Sequence, residues 1–164
     1  MKLAIPALRA APQTSTGLPR WAVPASLALA LAGLAVSIYL TVEHFTANAT
    51  LACPVGGAVD CAEVTSSDQS RFLGIPVAVL GLVFFTAMLV LCLPRVWAVR
   101  DPRVWKGRIV AAGVGLAFAL WLIFAEIFII EAICLWCTIV HLITFGLFAV
   151  VVMATALSDL ESRP

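Results

Sequence analysis

Cysteines are the residues of this 164-residue chain best suited to chemistry, and four of the five form two pairs. Cys53 and Cys61 lie in one segment, and Cys134 and Cys137 form a Cys-x-x-Cys pair at the start of an apolar stretch. A thiolate attacks a disulfide through a mixed-disulfide intermediate, so one dithiol can pass an electron pair to another. Two pairs in one chain therefore indicate thiol–disulfide redox chemistry, and Cys92 is expected to be a small buried apolar residue.

The two pairs are predicted to be held by different kinds of backbone. Between Cys53 and Cys61, the Gly56-Gly57 step makes the chain pliant, so the thiols can reach disulfide distance and the loop can move. The segment from Cys134 to Cys137 is predicted to begin a helix, where unpaired N–H groups stabilise a thiolate. We therefore expect a mobile dithiol facing a fixed, exchangeable one, which is the arrangement of an electron relay.

Two other uses of the same four cysteines stay open at this point. They could form two structural disulfides that staple an outer loop. They could instead supply four thiolates to zinc, although Cys-x7-Cys is not a usual ligand spacing for that metal. A metal site requires four reduced thiols that release metal to a chelator, whereas a relay predicts two disulfides in air.

The segments that must position these thiols are strongly apolar. The chain is 63% hydrophobic and 12% charged, with a mean hydropathy of +1.09, which leaves too little polar surface for a soluble domain. Four runs are long enough to cross a bilayer as helices: 21–42, 72–94, 109–130 (interrupted by Glu126) and 132–158. We predict an all-α integral membrane protein, a four-transmembrane-helix bundle with an extracytoplasmic loop between helices 1 and 2.

The first run could instead be a cleaved secretory signal. Basic residues precede it, and Ala28-Leu29-Ala30 resembles a cleavage site. The run continues beyond that triplet and exceeds the usual apolar length of such signals, about 7–15 residues. A retained membrane anchor is therefore the prediction.

Lysine and arginine residues are concentrated in every second segment outside the apolar runs, and this distribution predicts the orientation of the chain in the membrane. Three precede the first run and five lie between runs two and three, whereas Arg71 alone lies between runs one and two. Both termini are therefore predicted to be cytoplasmic, with the four paired thiols on the oxidising outer face. Residues 1–20 would form a cytoplasmic segment, 21–157 the membrane domain and 158–164 a cytoplasmic tail. The sequence has no basic patch of the kind that binds nucleic acid, so no nucleic acid is predicted as a partner.

The stretch "CPVGGAVDCAEVTSSDQSRFLGIPVAVLGL" (53–82), followed much later by "CLWC", resembles the bacterial vitamin K epoxide reductase family. The resemblance covers roughly residues 21–157. In that family a spaced loop pair precedes the second helix, a serine follows the second loop cysteine by six residues, and the fourth helix opens with Cys-x-x-Cys. Ser67 follows Cys61 at that offset, so four cysteines and a serine match in order.

The resemblance implies a disulfide-generating oxidoreductase that passes electrons to a membrane quinone bound beside Cys137. It also implies the order of the relay: a partner dithiol reduces the Cys53–Cys61 disulfide, Cys61 attacks Cys134, and Cys137 is released towards the quinone. Many bacterial members carry a fused thioredoxin-like domain, whereas this chain ends at Pro164, soon after the last run. The expected partner is a separate, exported thioredoxin-fold protein at the bacterial cytoplasmic (inner) membrane.

Two polar residues are expected at the quinone. His141 lies one turn beyond Cys137 on the same predicted helix face, where animal members have a tyrosine that hydrogen-bonds the quinone. His141 is expected to bind the quinone or assist its protonation, with a helix–helix hydrogen bond as the alternative. Because tyrosine is absent, menaquinone or ubiquinone is expected, with vitamin K as the alternative. Ser67 is expected either in the quinone pocket or as the cap of a short helix.

Two further residues near the outer face have open roles. Glu126, about a turn inside the outer end of the third run, is expected to snorkel to the interface, with a proton relay as the alternative. Trp136, inside the Cys-x-x-Cys pair, is expected either at the membrane interface or as a wall of the site.

Two rival classes of protein use similar parts. The disulfide bond B type of quinone-linked oxidase also has four helices, but its Cys-x-x-Cys lies in the first outer loop and its spaced pair in the second. That order is the reverse of the one here. A membrane transporter or metal-handling protein with thiolate ligands is the rival from another class, and no metal site is predicted.

Overall fold

Helices make up most of the residues that the structure, a computed structural model, describes: 18–47, 50–53, 59–99 and 101–161, with side chains to residue 158. In chain order the elements are α1 (Ala22–Phe45), α2 (Cys61–Ser66), a 3-10 turn (Asp68–Ser70), β1 (Arg71–Phe72), β2 (Ile75–Pro76), α3 (Val77–Leu91), α4 (Pro94–Trp97), α5 (Pro102–Ala125), a π-helical turn (Glu126–Ile130) and α6 (Leu135–Glu161). The two short strands pair with each other as an antiparallel hairpin.

Within these residues, three helical segments are long and apolar enough to cross a membrane: Ala22–Phe45, Pro102–Ile130 and Leu135–Ser158. The shorter two have 24 residues each, or roughly 36 Å of helix at about 1.5 Å per residue, which exceeds the hydrocarbon core. Large apolar side chains on their outer faces, such as Val110 and Leu142, are more than half exposed, as lipid-facing positions are. The chain is therefore a multi-pass membrane protein, as predicted.

The second apolar run folds differently from the prediction. The sequence suggested a helix over 72–94, but α3 has only 15 residues, or roughly 22 Å at about 1.5 Å per residue. Leu73 and Gly74 both have positive φ (52° and 82°), as a two-residue hairpin turn requires, and Pro76 then precedes the helix. The first residues of the run therefore form the hairpin, and the fourth membrane crossing stays a prediction.

Small residues let the helices approach closely in the core. α1 packs against α3 and α6, and α5 packs against α6 and α3. The core contains Phe85, Met88, Leu147, Val151, Ala112 and the fully buried Cys92. A Cβ on Gly33 of α1 would overlap the ring of Phe85, so this glycine is what allows α1 and α3 to meet. Cys92 is the buried apolar residue that the sequence predicted.

The basic end of the bundle lies opposite the end that holds the paired cysteines. The sequence had suggested that Arg108 lies in the segment between the second and third runs. However, α5 begins at Pro102, so Arg108 belongs to the second turn of this helix. The Arg108 guanidinium lies 3.6 Å from the centroid of the Trp97 ring, and its Nε–H donates to the Leu91 carbonyl (2.9 Å). The bundle therefore has two chemically different ends.

Candidate active site

The loop pair is oxidised and leads into a short helix. Cys53 and Cys61 form a disulfide with their Cα atoms 6.1 Å apart. Cys61 is the first residue of α2, and Asp60 caps that helix by accepting the Glu63 N–H (3.0 Å). Cys61 is 1% exposed, whereas Cys53 is half-buried. The predicted Gly56-Gly57 step lies outside the described residues, so the pliancy of the loop stays a prediction.

The second pair begins the last membrane helix, as the sequence predicted. The Cys134 carbonyl accepts the Thr138 N–H (2.9 Å), which places Cys134 at the N-cap of α6. The Cys134 Sγ accepts the Cys137 backbone N–H (3.3 Å), and both cysteines are free thiols. A hydrogen bond from the Cys137 side chain lowers the pKa of Cys134, which immediately precedes the membrane-crossing segment, and backbone N–H groups add to this effect. Cys134 is therefore prepared to act as a thiolate.

The two pairs meet in one buried cluster. Cys61 and Cys134 pack there with Val64 and Ala132, and Cys53 and Cys137 lie against its edge. A backbone bridge holds the loop in place, because Val59 pairs with Ile133 and the Asp60 N–H donates to the Ile133 carbonyl (3.2 Å). All four cysteines predicted as site residues are thus brought together.

Trp136 walls the site, which the sequence left open. Its indole N–H donates to the Ala52 carbonyl (2.8 Å), next to Cys53. Its ring packs against Tyr39 of α1, with 4.9 Å between the ring centroids. The Tyr39 hydroxyl accepts the Ala52 N–H (2.9 Å) and donates to the Thr50 carbonyl (3.4 Å). Two aromatic residues therefore hold the loop over the start of α6.

The contacts of Tyr39 and Trp136 with the loop form a clasp, and Glu43 is a further part of it that the sequence did not predict. Its side chain is 1% exposed and accepts hydrogen bonds from both the backbone N–H (3.2 Å) and the hydroxyl of Thr50. In the sequence, Glu43 directly follows the first apolar run (21–42). Its spacing of four residues from Tyr39 on one helix face was the signal that could have identified it.

An apolar cavity of about 360 Å³ lies beneath the cysteine cluster, among the long helices. This volume is within the range of about 300–1,000 Å³ typical of small-molecule sites. Most of the wall is apolar, and the polar residues of the lining are Ser37, His44, Thr65, Ser67, Gln69, Ser70, Glu126, Cys137, His141 and Thr144. The cavity is large enough for a small, mainly apolar molecule that carries a few polar atoms.

Both predicted quinone-binding residues line this cavity. His141 is 4% exposed and lies on the same helix as Cys137, which also lines the cavity. Ser67 follows α2, and its hydroxyl donates to the Val64 carbonyl (2.8 Å) and accepts no helix N–H group. Ser67 occupies the N-cap position of the 3-10 turn (Asp68–Ser70) without a side-chain cap hydrogen bond, so it lies both at the cavity and at the start of a short helix.

Glu126 does not snorkel to the membrane interface, and that expectation is wrong. It is 6% exposed, and its Oε2 accepts the Cys134 backbone N–H (3.4 Å). The position of Glu126 along the sequence predicts how deep it lies in the membrane, but not the direction of its side chain. The π-helical turn that starts there, together with the left-handed conformation of Glu131 (φ 58°), turns the chain back under the start of α6. The carboxyl group therefore points into the protein.

Neither structural alternative for the four cysteines finds support in the described residues. Cys134 and Cys137 are free, so the structure holds one disulfide among the four cysteines, whereas two structural disulfides, and equally a relay oxidised in air, would have two. No group of three or more histidine, cysteine, aspartate or glutamate side chains in the described part of the chain could hold a metal ion.

The apolar crossing helices and the clustered thiols define a multi-pass membrane protein with a redox-active centre. The profile of the Vitamin K epoxide reductase family matches residues 24–152, and the chain belongs to that family. Its members are oxidoreductases, generally linked to quinones. The family assignment made from the cysteine and serine pattern is confirmed.

Proposed function

We propose that this protein oxidises the dithiols of exported thioredoxin-fold proteins and passes their electrons to a membrane quinone, which supports disulfide bond formation. One observation carries the proposal: Cys61 and Cys134 share a buried cluster, and Cys137 opens from that cluster onto an apolar cavity. Such an arrangement supports electron transfer from a loop disulfide to an intramembrane acceptor.

Each thiol then has one step in the relay. A partner thiolate attacks Cys53 and releases Cys61, and the second partner thiol frees Cys53 as the partner becomes oxidised. Cys61 attacks Cys134 of the Cys134–Cys137 disulfide and releases the Cys137 thiol. Cys53 next attacks Cys61, which restores the loop disulfide and leaves the second pair reduced. One electron pair has moved from the partner to the second pair, and this is the redox state in the structure.

The cavity residues prepare the last step. A bound quinone supplies an acceptor for two electrons and two protons. Cys137 borders the cavity, so the electron pair leaves the dithiol from this residue. The buried imidazole of His141 offers a polar contact for a carbonyl oxygen, and Ser67 lines the same cavity. Menaquinone or ubiquinone is the proposed acceptor, because histidine stands where the animal members have tyrosine.

The proposed orientation puts the cysteine end outside and the basic end in the cytoplasm of a bacterium, by the distribution of lysine and arginine. Residues 1–20 and 158–164 would then be cytoplasmic, and α3 would supply the fourth crossing of the 21–157 membrane domain. A membrane-impermeant thiol reagent should label Cys53 and Cys61 from the extracytoplasmic face after reduction. Labelling from the cytoplasmic face alone would reverse the orientation.

The decisive experiment is quinone reduction by the purified chain in liposomes. A reduced thioredoxin-fold protein serves as electron donor, and a short-chain ubiquinone or menadione is followed by its absorbance. The wild-type chain should form quinol with matching loss of partner thiols, Cys137→Ser should stop it, and Cys92→Ser should not. Thiol oxidation at an equal rate without quinone would show that the acceptor is a different molecule.

A further inference from the structure

One buried acid lies at the redox centre without a role in this relay. Glu126 begins the π-helical turn after α5, is 6% exposed, and its Oε2 accepts the backbone N–H of Cys134 (3.4 Å). Its side chain also lines the cavity that Cys137 borders. It therefore contacts the reactive dithiol on one side and the proposed quinone site on the other.

The surroundings of Glu126 contain few other titratable groups. Those that line the same cavity are Cys137 and His141 from α6 and His44 from α1; α2, the 3-10 turn and α3 contribute none. Among the described residues, no lysine or arginine lines the cavity, so no permanently charged cation there neutralises the carboxylate. Burying a carboxyl group without a cation is costly, and a buried ionisable group inside a membrane protein is generally associated with function.

We propose that Glu126 carries the protons released by the Cys134–Cys137 dithiol into the cavity, where they reach the quinone oxygens; this inference rests on the proposed function. When the Cys134–Cys137 disulfide forms, two S–H bonds break and two electrons leave. The Glu126 carboxylate accepts one thiol proton, releases it to a quinone oxygen, and repeats the cycle with the second. The dithiol loses two protons and two electrons, the quinone gains both, and Glu126 returns to its initial state.

Proton transfer needs such a group at this point. A thiol against a mainly apolar cavity has few protein groups that can accept its proton, and a positioned carboxylate typically contributes about 10²–10⁴-fold to such a step. Glu131, the nearest acid in the sequence, is exposed and lies outside the cavity lining. It is therefore the matched control.

The first test does not depend on turnover. In quinone-free protein, infrared difference spectra between the dithiol and disulfide forms of the second pair should show a carboxyl band. Glu126→Gln should abolish this band, Glu126→Asp should shift it, and Glu131→Gln should leave it unchanged. A difference spectrum with no carboxyl band, or one unaffected by both Glu126 variants, would overturn the proposal.

The second test measures single-turnover oxidation of the reduced chain by excess short-chain ubiquinone as a function of pH. We expect Glu126→Gln to be about 100-fold slower, consistent with a lost proton carrier, and to lose a pH-dependent limb of the wild-type profile. Glu126→Asp should keep that limb. A purely structural role would instead lower the rate equally at all pH values, and that result would overturn the proposal.

Two controls separate the possible failures. The rate at which dithiothreitol reduces the Cys53–Cys61 disulfide should be unchanged in Glu126→Gln, which shows that the variant is folded. If Glu126→Gln does not fold, the shift of the infrared band in Glu126→Asp decides whether Glu126 carries the proton. A wild-type chain that reduces no quinone would refute the proposed function itself. A wild-type chain that reduces quinone, with Glu126→Gln equally fast, would refute only the role of Glu126.

Discussion

Trp136 and Ala52 are joined by a 2.8 Å hydrogen bond from the indole N–H to the backbone carbonyl, although Trp136 lies in the last membrane helix and Ala52 in the loop after the first one. Ala52 immediately precedes Cys53, so this bond fixes the loop beside the start of α6. The Trp136 ring also contacts Tyr39, which bonds to both Ala52 and Thr50. The position of the loop disulfide therefore depends on a residue between the two cysteines of the second pair.

Trp136→Phe should weaken loop docking, because it removes the N–H donor and keeps an aromatic ring against Tyr39. A lost hydrogen bond of this kind costs about 1 kcal/mol. The expected result is faster alkylation of Cys61 after reduction of the loop, measured by mass spectrometry of quenched samples. Trp105→Phe, at the basic end of the bundle, is the control. Equal alkylation rates in both variants would show that the hydrogen bond does not hold the loop.

Cys53→Ser tests the order of the relay. Without Cys53 no thiol can resolve the Cys61–Cys134 mixed disulfide, so that bond should accumulate while Cys137 stays free. Non-reducing peptide mapping identifies the crosslink, with Cys92→Ser as the control that leaves the relay intact. A Cys61–Cys137 crosslink, or free thiols throughout in air, would contradict the proposed order.

His141→Ala should slow quinone reduction while leaving thiol exchange in the loop intact. Loss of one hydrogen bond to the acceptor, worth about 1 kcal/mol, predicts a decrease of roughly five- to tenfold. The rate of quinol formation measures the effect. Thr155→Val is the control, because Thr155 lies outside the cavity lining and its hydroxyl donates to the Val151 carbonyl of its own helix (2.8 Å). Unchanged kinetics in His141→Ala would return this residue to a packing role.

The pKa of Cys134 is held below its ordinary value of 9.0, first by the Cys137 side chain. A lowered folded-state pKa stabilises the reduced protein above the ordinary value, and this contribution is lost as pH falls through the folded-state pKa. Cys137→Ala removes the side-chain hydrogen bond, so the Cys134 titration should move to higher pH. Thiolate absorbance of the reduced protein, taken as the difference from Cys134→Ser, measures the shift. A downward shift would assign the effect to another cause.

Gly33→Ala should destabilise the bundle, because the added Cβ would overlap the Phe85 ring in the α1–α3 contact. Overpacking of this kind costs about 1–3 kcal/mol. Gly107→Ala is the control: nothing lies within 4 Å of the added Cβ, and alanine there should stabilise the helix by up to about 1 kcal/mol. Thermal unfolding in detergent compares the two. Equal midpoints would show that α1 and α3 separate easily at this position.

The sequence predicted the chemistry at the cysteine end better than the local backbone. The distribution of basic residues predicted that the four paired thiols lie at one end of the bundle, and in the structure these thiols share one cluster. Hydropathy could not separate the hairpin from α3, because Phe72, Leu73 and Ile75 are as apolar as the helix that follows. Only the turn chemistry of Gly74 and Pro76 carried that signal.

Two features depend on contacts that no local pattern contains. The direction of Glu126 follows from a π-helical turn, which shifts the helical register and cannot be inferred from average periodicity. The clasp between Tyr39 and Trp136 joins the first and last membrane helices. Each residue alone is typical of a membrane interface, and only the packing of α1 against α6 gives the pair a joint role.

The unequal burial of the two loop sulfurs has a consequence for the chemistry of the whole relay. Cys53 is half-buried, but Cys61 is 1% exposed. Thiol–disulfide exchange requires the attacking sulfur to approach one sulfur in line with the bond, so access decides which atom is attacked and which departs. An external nucleophile reaches Cys53, and the leaving group is always Cys61, inside the protein and next to the second pair. The loop disulfide is therefore regioselective: Cys53 is the sulfur open to an external thiol, and Cys61 is the sulfur placed beside the second pair, while the reduction potentials of donor and acceptor set the direction of net electron flow.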